Sequence, residues 1–228
     1  MKTCFQLFFP IWILISALSV KGQEDGAEFR VLGFGDGFFE GICFENETES
    51  EPTVVELGFY PDRRSRLYRL ETRPLSLVFF SEEASKDGNL TRVELGRARW
   101  PAGADKALFV FFETSDFETA GKYEILSVDE SSEKWKAGSV RFLNLSGAEL
   151  ELKLGDVSAV LPEDFSPIFD FDPDVWSVLP LSLRVNWQGE KRSVYSSQYR
   201  VDGNHPKLLL IKPPREEGSF RVRVLNLW

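Results

Sequence analysis

The stretch KAGSVRFLNLSGAELELKLGDVSAVL, Lys136 to Leu161, holds three short alternating runs between two turn signals. In Glu149-Leu150-Glu151-Leu152-Lys153-Leu154 every leucine falls on one face and every charge on the other. Successive side chains of an extended chain point to opposite sides, so this period of two marks a half-buried antiparallel strand. Ser146-Gly147 before the run and Gly155-Asp156 after it tolerate tight reversals. The spacing predicts a β-meander.

The same pattern extends in both directions. Candidate strands in the first half are Phe29 to Phe34, Phe38 to Phe44, Thr53 to Phe59, Ser65 to Leu70, Leu75 to Phe80, Leu90 to Leu95, Ala107 to Phe112 and Lys122 to Val128. The second half supplies Ser139 to Leu145, Glu149 to Leu154, Val157 to Leu161, Leu181 to Trp187, Ser193 to Val201, Lys207 to Ile211 and Ser219 to Leu225. Helical periodicity is nowhere sustained for three turns.

Four short correspondences recur in the same order in both halves. Pro74-Leu75-Ser76-Leu77 matches Pro180-Leu181-Ser182-Leu183, and Lys106-Ala107-Leu108-Phe109-Val110 matches Lys207-Leu208-Leu209-Leu210-Ile211. Gly121 with the strand after it matches Gly218 with its strand, and Glu56-Leu57-Gly58 answers Lys153-Leu154-Gly155. The expectation is an all-β protein of two tandem immunoglobulin-like antiparallel β-sandwich domains, residues 27–130 and 137–228, in preference to one large sandwich. The polar run Asp129-Glu130-Ser131-Ser132-Glu133-Lys134 reads as the linker.

The run from Trp135 to Gly147, with the leucine hairpin that follows to Leu161, resembles the opening of small β-sandwich modules in secreted or envelope proteins of bacteria. The resemblance implies an extracytoplasmic location. It carries no activity and no site residues.

Met1-Lys2-Thr3 followed by the apolar run Cys4 to Val20 has the charged start and apolar centre of a secretory signal, with a cut before Gln23 leaving 1–22 as the leader. The rival is a retained anchor, because a span needs about 18 apolar residues. Pro10 and the polar exit Lys21 to Gly26 favour cleavage, after which no segment is expected to span a membrane. The mature chain then keeps Cys43 alone and forms no internal disulfide. A net charge of -9 over 228 residues disfavours a nucleic-acid partner, whose phosphates need positive charge.

Motifs for bond-making chemistry are sparse. His205, the single histidine, lies in the turn Asp202-Gly203-Asn204-His205-Pro206, and no Gly-x-Ser-x-Gly elbow accompanies it. Gly33-Phe34-Gly35-Asp36-Gly37 follows a strand but opens no helix, so it reads as a hairpin turn and not a phosphate cradle. One histidine and one mature cysteine fall short of a zinc site. Asp170-Phe171-Asp172-Pro173-Asp174 supplies oxygen ligands that suit calcium, yet Val175 and Leu181 stand where an EF-hand needs glycine and glutamate. No cofactor, no metal and no catalytic residue is expected.

The segment Pro162 to Pro180 reads as a long acidic loop with apolar anchors, and long loops often carry function. Asp170, Phe171, Asp172, Asp174 and Trp176 in it, together with Trp135, form the expected contact surface. Trp135 and Trp176, in loops, are the candidates for a sugar-stacking platform, whereas Trp187 continues an apolar alternation and is assigned to the core. Asn46, Asn89 and Asn144 fit the glycan acceptor pattern. The expected function is that of a secreted or periplasmic, non-enzymatic interaction module of the cell envelope, touching another envelope protein or a surface polymer. The alternatives are a carbohydrate-binding module and a secreted hydrolase using paired carboxylates.

Overall fold

The computed structural model describes residues 26–35, 39–47, 52–84, 88–114, 121–131, 135–171, 178–201 and 205–227. Among them the chain forms strands and no helix. The first eight are β1 (Ala27–Phe34), β2 (Cys43–Asn46), β3 (Thr53–Glu56), β4 (Tyr68–Leu70), β5 (Ser76–Ala84), β6 (Leu90–Arg99), β7 (Lys106–Glu113) and β8 (Tyr123–Asp129). The second eight are β9 (Ser139–Asn144), β10 (Leu150–Leu154), β11 (Val157–Leu161), β12 (Phe169–Asp170), β13 (Val178–Trp187), β14 (Glu190–Arg200), β15 (Lys207–Lys212) and β16 (Arg223–Asn226).

Four sheets result, with orders β4-β1-β7-β8, β3-β2-β5-β6, β12-β9-β15-β16 and β11-β10-β13-β14. Adding eight to every strand of the first two orders yields the last two. The inner faces of the first two sheets close over Phe29, Phe44, Phe79, Phe109, Phe111 and Trp100, and those of the second pair over Phe142, Leu152, Leu154, Leu183, Leu209 and Ile211. The protein is thus all-β, with two β-sandwiches. Both carry a bulge at the same strand pair, between Phe79 and Phe80 on β5 and between Leu183 and Arg184 on β13.

One feature departs from purely antiparallel sheets. β1 runs parallel to β7 and β9 parallel to β15, so one sheet of each sandwich is mixed. Parallel strands are commonly buried on both faces and read as continuous apolar runs. Ala107-Leu108-Phe109-Val110-Phe111 and Leu208-Leu209-Leu210-Ile211 are such runs, with every member buried.

The reason is a third core. Leu32, Leu108, Val110 and Val128 from the first mixed sheet pack with Leu143, Leu208, Leu210 and Leu227 from the second. The two sandwiches are therefore joined face to face through their mixed sheets. Register places Leu32 opposite Val110 and Leu143 opposite Leu210, so the two halves contribute positionally equivalent residues. Trp135 sits in this seam and is only 5 % exposed, which corrects its expected place on a contact surface. The expected linker is also partly built in: Asp129 belongs to β8, Glu130 is held by Arg64, and Asp105 donates its backbone N–H to Ser131 Oγ at 3.2 Å.

A single lysine ties the halves at the seam's rim. Lys212, 1 % exposed, donates from Nζ to Asp62 at 2.6 Å and lies 4.6 Å above the Phe34 ring. Asp62 adopts a φ of 58°, a left-handed conformation that aspartate tolerates better than most residues. Nearby, Gly33 lies within β1 and not in a turn, and a Cβ there would stand 2.3 Å from the Phe39 ring.

Candidate functional site

One difference between the two sandwiches lies where β2 meets β5. In the second sandwich the equivalent ladder, β10 against β13, pairs Glu151 with Arg184, Leu152 with Leu183, Lys153 with Ser182 and Leu154 with Leu181. Gly155 then donates its N–H to the Pro180 carbonyl at 2.9 Å. In the first sandwich the ladder holds only Cys43 to Phe80 and Phe44 to Phe79. Aligned on the shared bulge, Glu45 and Asn46 answer Lys153 and Leu154, and Val78 and Leu77 answer Ser182 and Leu181. The pairs closed in one half are open in the other.

β2 leaves β5 there but stays with β3, pairing Glu45 with Val54 and Asn46 with Thr53. Among the described residues Ser76, Leu77 and Val78 keep register partners on the β6 side only, at Arg99, Ala98 and Arg97. The local cause is legible: Leu154 is a fully buried core leucine, whereas its counterpart Asn46 carries a polar amide that an apolar core disfavours. Asn46 Oδ1 is buried and has no hydrogen-bond donor. Buried acceptors without partners are uncommon and call for an explanation.

The opening forms a hollow of about 410 Å³. Its walls are Glu45, Asn46 and Glu47 on one side and Ser76, Leu77 and Val78 on the other, with Leu70 and Pro74 at one end and Phe80, Arg92 and Glu94 at the other. Arg92 lies 4.6 Å above the Phe80 ring and is engaged by Glu45 and Glu82. Glu94 pairs with Arg97 at 3.0 Å. The hydrogen bonds that Arg92 donates to Glu45 and Glu82 raise its guanidinium above its ordinary value, so it stays charged.

A second hollow, of about 300 Å³, lies at one end of the second sandwich between Leu150, Val185, Trp187, Val194, Pro214 and Phe220. Trp187 is 46 % exposed and meets Phe220 edge to face at 5.3 Å and 69°. Its expected core position is corrected: it stands at the last position of β13, beyond the cover of the second core. The ring pair is not coplanar, so it offers one flat face and not a two-ring platform.

Of the expected contact residues, Asp170, Phe171 and Trp135 are described, and Trp135 lies in the seam. Asp170 lies exposed on β12, pairing with Ser139, while Phe171 packs against the second core and donates its N–H to the Gly138 carbonyl at 3.1 Å. Asp172, Asp174 and Trp176 lie outside the described residues, as does the expected leader. The segment expected as one loop contains β12, a bridge from Phe165 to Leu143, and the start of β13 at Val178. Asn144, expected as a glycan acceptor, is fully buried and donates from Nδ2 to the Ala148 and Pro162 carbonyls at 2.8 and 3.0 Å, so it is closed to modification in the fold.

Among the described residues no three of His, Cys, Asp and Glu gather as a metal site, and no helix is long and apolar enough to cross a membrane. Burial raises the Glu130 carboxyl, but Glu130 is held by Arg64 and does not line the opening between β2 and β5. The sequence matches no protein-family model and no curated protein.

Proposed function

We propose that the protein is an exported, non-enzymatic binding module of the cell envelope, built from a duplicated sandwich, and that it holds its ligand in the opening between β2 and β5. The observation that carries this reading is the internal comparison: one scaffold occurs twice, and its ladder is closed in one copy and parted in the other. A parted ladder that leaves an acceptor buried without a donor costs stability, and such costs concentrate where a fold serves binding. The lining offers carboxylates, an amide, hydroxyls and apolar carbons around a concave surface, the mixture typical of a recognition site. Glu45 and Glu94 are engaged by arginines, which favours a positioning role over proton transfer.

Hydrogen exchange on the purified chain, in the presence of defined peptides and defined oligosaccharides, tests the reading. A ligand is expected to protect amides in Glu45–Glu47 and Ser76–Val78. Protection confined to other strands, or turnover of a glycoside or peptide substrate, would overturn it. Export is tested separately by mass spectrometry of the protein from its native host, with a mature start at Gln23 expected and an intact leader counting against it.

A further inference from the structure

We infer that the opening between β2 and β5 takes an extended, basic segment of a partner polypeptide as an added strand. This rests on the reading of the opening as the binding site and specifies the ligand class. β5 is already in strand conformation at Ser76, Leu77 and Val78, with the β6 side occupied and the β2 side without register partners among the described residues. An extended peptide supplies the N–H and C=O groups that such a strand lacks, whereas a sugar presents hydroxyls with no 3.3 Å repeat along one line.

Charge sets the side-chain preference. The lining holds Glu45, Glu47 and Glu94 and one cation, Arg92, which is shared between Glu45 and Glu82, while Glu94 is paired with Arg97 beside the lining, so Glu47 carries the surplus negative charge. Glu47 makes no ion pair among the described residues. A strand laid beside β5 sends alternate side chains to opposite faces, so lysine or arginine at every second position reaches the carboxylates, and the intervening apolar residues meet Leu70 and Leu77. The three open residues of β5 span about 10 Å, enough for about three residues of ladder. Acidic peptides are repelled by the same lining.

The test is a calorimetric titration of the full chain, with hydrogen exchange on each mixture. The probes are an alternating lysine–valine hexapeptide, its glutamate–valine counterpart, the lysine–valine peptide N-methylated at alternate residues, and a chitin hexasaccharide. Binding of the first probe is expected, with protection at Ser76–Val78. Glu47→Lys, an exposed substitution that leaves the fold intact, is expected to weaken it about tenfold. N-methylation keeps every side chain and removes backbone donors, so it is expected to abolish binding. Equal affinity for the N-methylated peptide would overturn strand addition. Binding of the saccharide at the opening, without the peptide, would overturn this inference while leaving the binding-module reading intact. No binding of either, or protection only elsewhere, would overturn the inference as well.

Discussion

Ser65 and Ser166 occupy the same post in the two sandwiches. Val31 of β1 donates its N–H to Ser65 Oγ at 2.9 Å, and Ser65 returns its own N–H to the Val31 carbonyl at 2.9 Å. Phe142 of β9 and Ser166 repeat both bonds at 2.9 Å. Each hydroxyl also donates to the next carbonyl, of Arg66 at 2.7 Å and of Pro167 at 2.6 Å. Each serine thus fastens the chain beside the edge strand β4 or β12 to the first strand of its sandwich.

Ser65→Ala and Ser166→Ala each leave a buried strand N–H without its acceptor. The expected loss is about 1–3 kcal/mol for each, similar in the two variants, read as a shift in the urea unfolding midpoint. An unchanged midpoint for one of them would contradict the equivalence of the two posts.

Arg64 and Glu130 form a buried ion pair beside the start of the inter-sandwich connection, both side chains being almost wholly covered. Burial pushes the Arg64 guanidinium down to about 10 and raises the Glu130 carboxyl against the opposing pull of Arg64. Removing one partner takes from the other its nearest buried counter-charge, so Arg64→Met or Glu130→Leu alone is expected to cost about 3–5 kcal/mol, and the two together much less than the sum. A double-mutant cycle by chemical denaturation reads this directly.

The same carboxyl gives a pH signature. Its folded value is raised, so the native state keeps the proton to higher pH than the unfolded chain does. Its contribution is full below the ordinary carboxylate range and is lost as pH rises through the raised value. The difference in stability between the wild type and Glu130→Gln, followed upward from acid, should therefore move against the wild type across that window. A flat difference would show that Glu130 takes its proton no more readily when folded.

Cys43 is buried on β2, and burial first, then the carboxylates of Glu56 and Glu82, raises its thiol. The thiolate is the reactive form, so iodoacetamide at pH 8 should label the folded chain at least about tenfold more slowly than the unfolded one. The raised value also means that its share of stability is held below the unfolded thiol's pKa and lost above it. Rapid labelling of the native protein would place the thiol outside the strand.

Alternation made the strands legible, because a leucine-in, charge-out run such as Glu149 to Leu154 has one extended solution. The two-residue β12 was invisible, since Phe169-Asp170 is too short to show any period and takes its conformation from Val140 and Ser139 across the pair. Internal matches found the right strands in three of the four cases but slipped in register. The match of Lys106 with Lys207 is one residue too long, because Leu108 and Leu208 share the seam while Phe109 and Leu209 lie in the inner cores. A one-residue slip exchanges the two faces of a strand. The fourth match, Leu57 with Leu154, joins a residue after β3 to the end of β10. Trp135 and Trp187 exchange roles because loop position says nothing about a second sandwich packed on an outer face, and alternation along β13 says nothing about where the cover of the core ends. The opening at β2 was hidden for a related reason: it shows only when Asn46 is compared with Leu154 across the two ladders.

The seam between the sandwiches bears on whether either half stands alone. Leu143, Leu208, Leu210, Leu225 and Leu227 form the second half's share, and Leu32, Leu108, Val110, Leu126 and Val128 the first half's. A fully buried leucine is worth about 1.5–3 kcal/mol relative to an exposed one, so residues 137–228 expressed alone would present a costly apolar face. Because the two shares are positionally equivalent, one copy of that face is a suitable partner for another, the arrangement of a two-fold interface. The fragment is therefore expected to sediment as a dimer at micromolar concentration, and Leu210→Asp to leave it monomeric or unfolded. The same substitution in the full chain should lower the unfolding midpoint sharply, since it places a charge in the seam opposite Leu143. A folded, monomeric fragment would show that the seam joins two self-sufficient sandwiches and that its leucines are not needed by either.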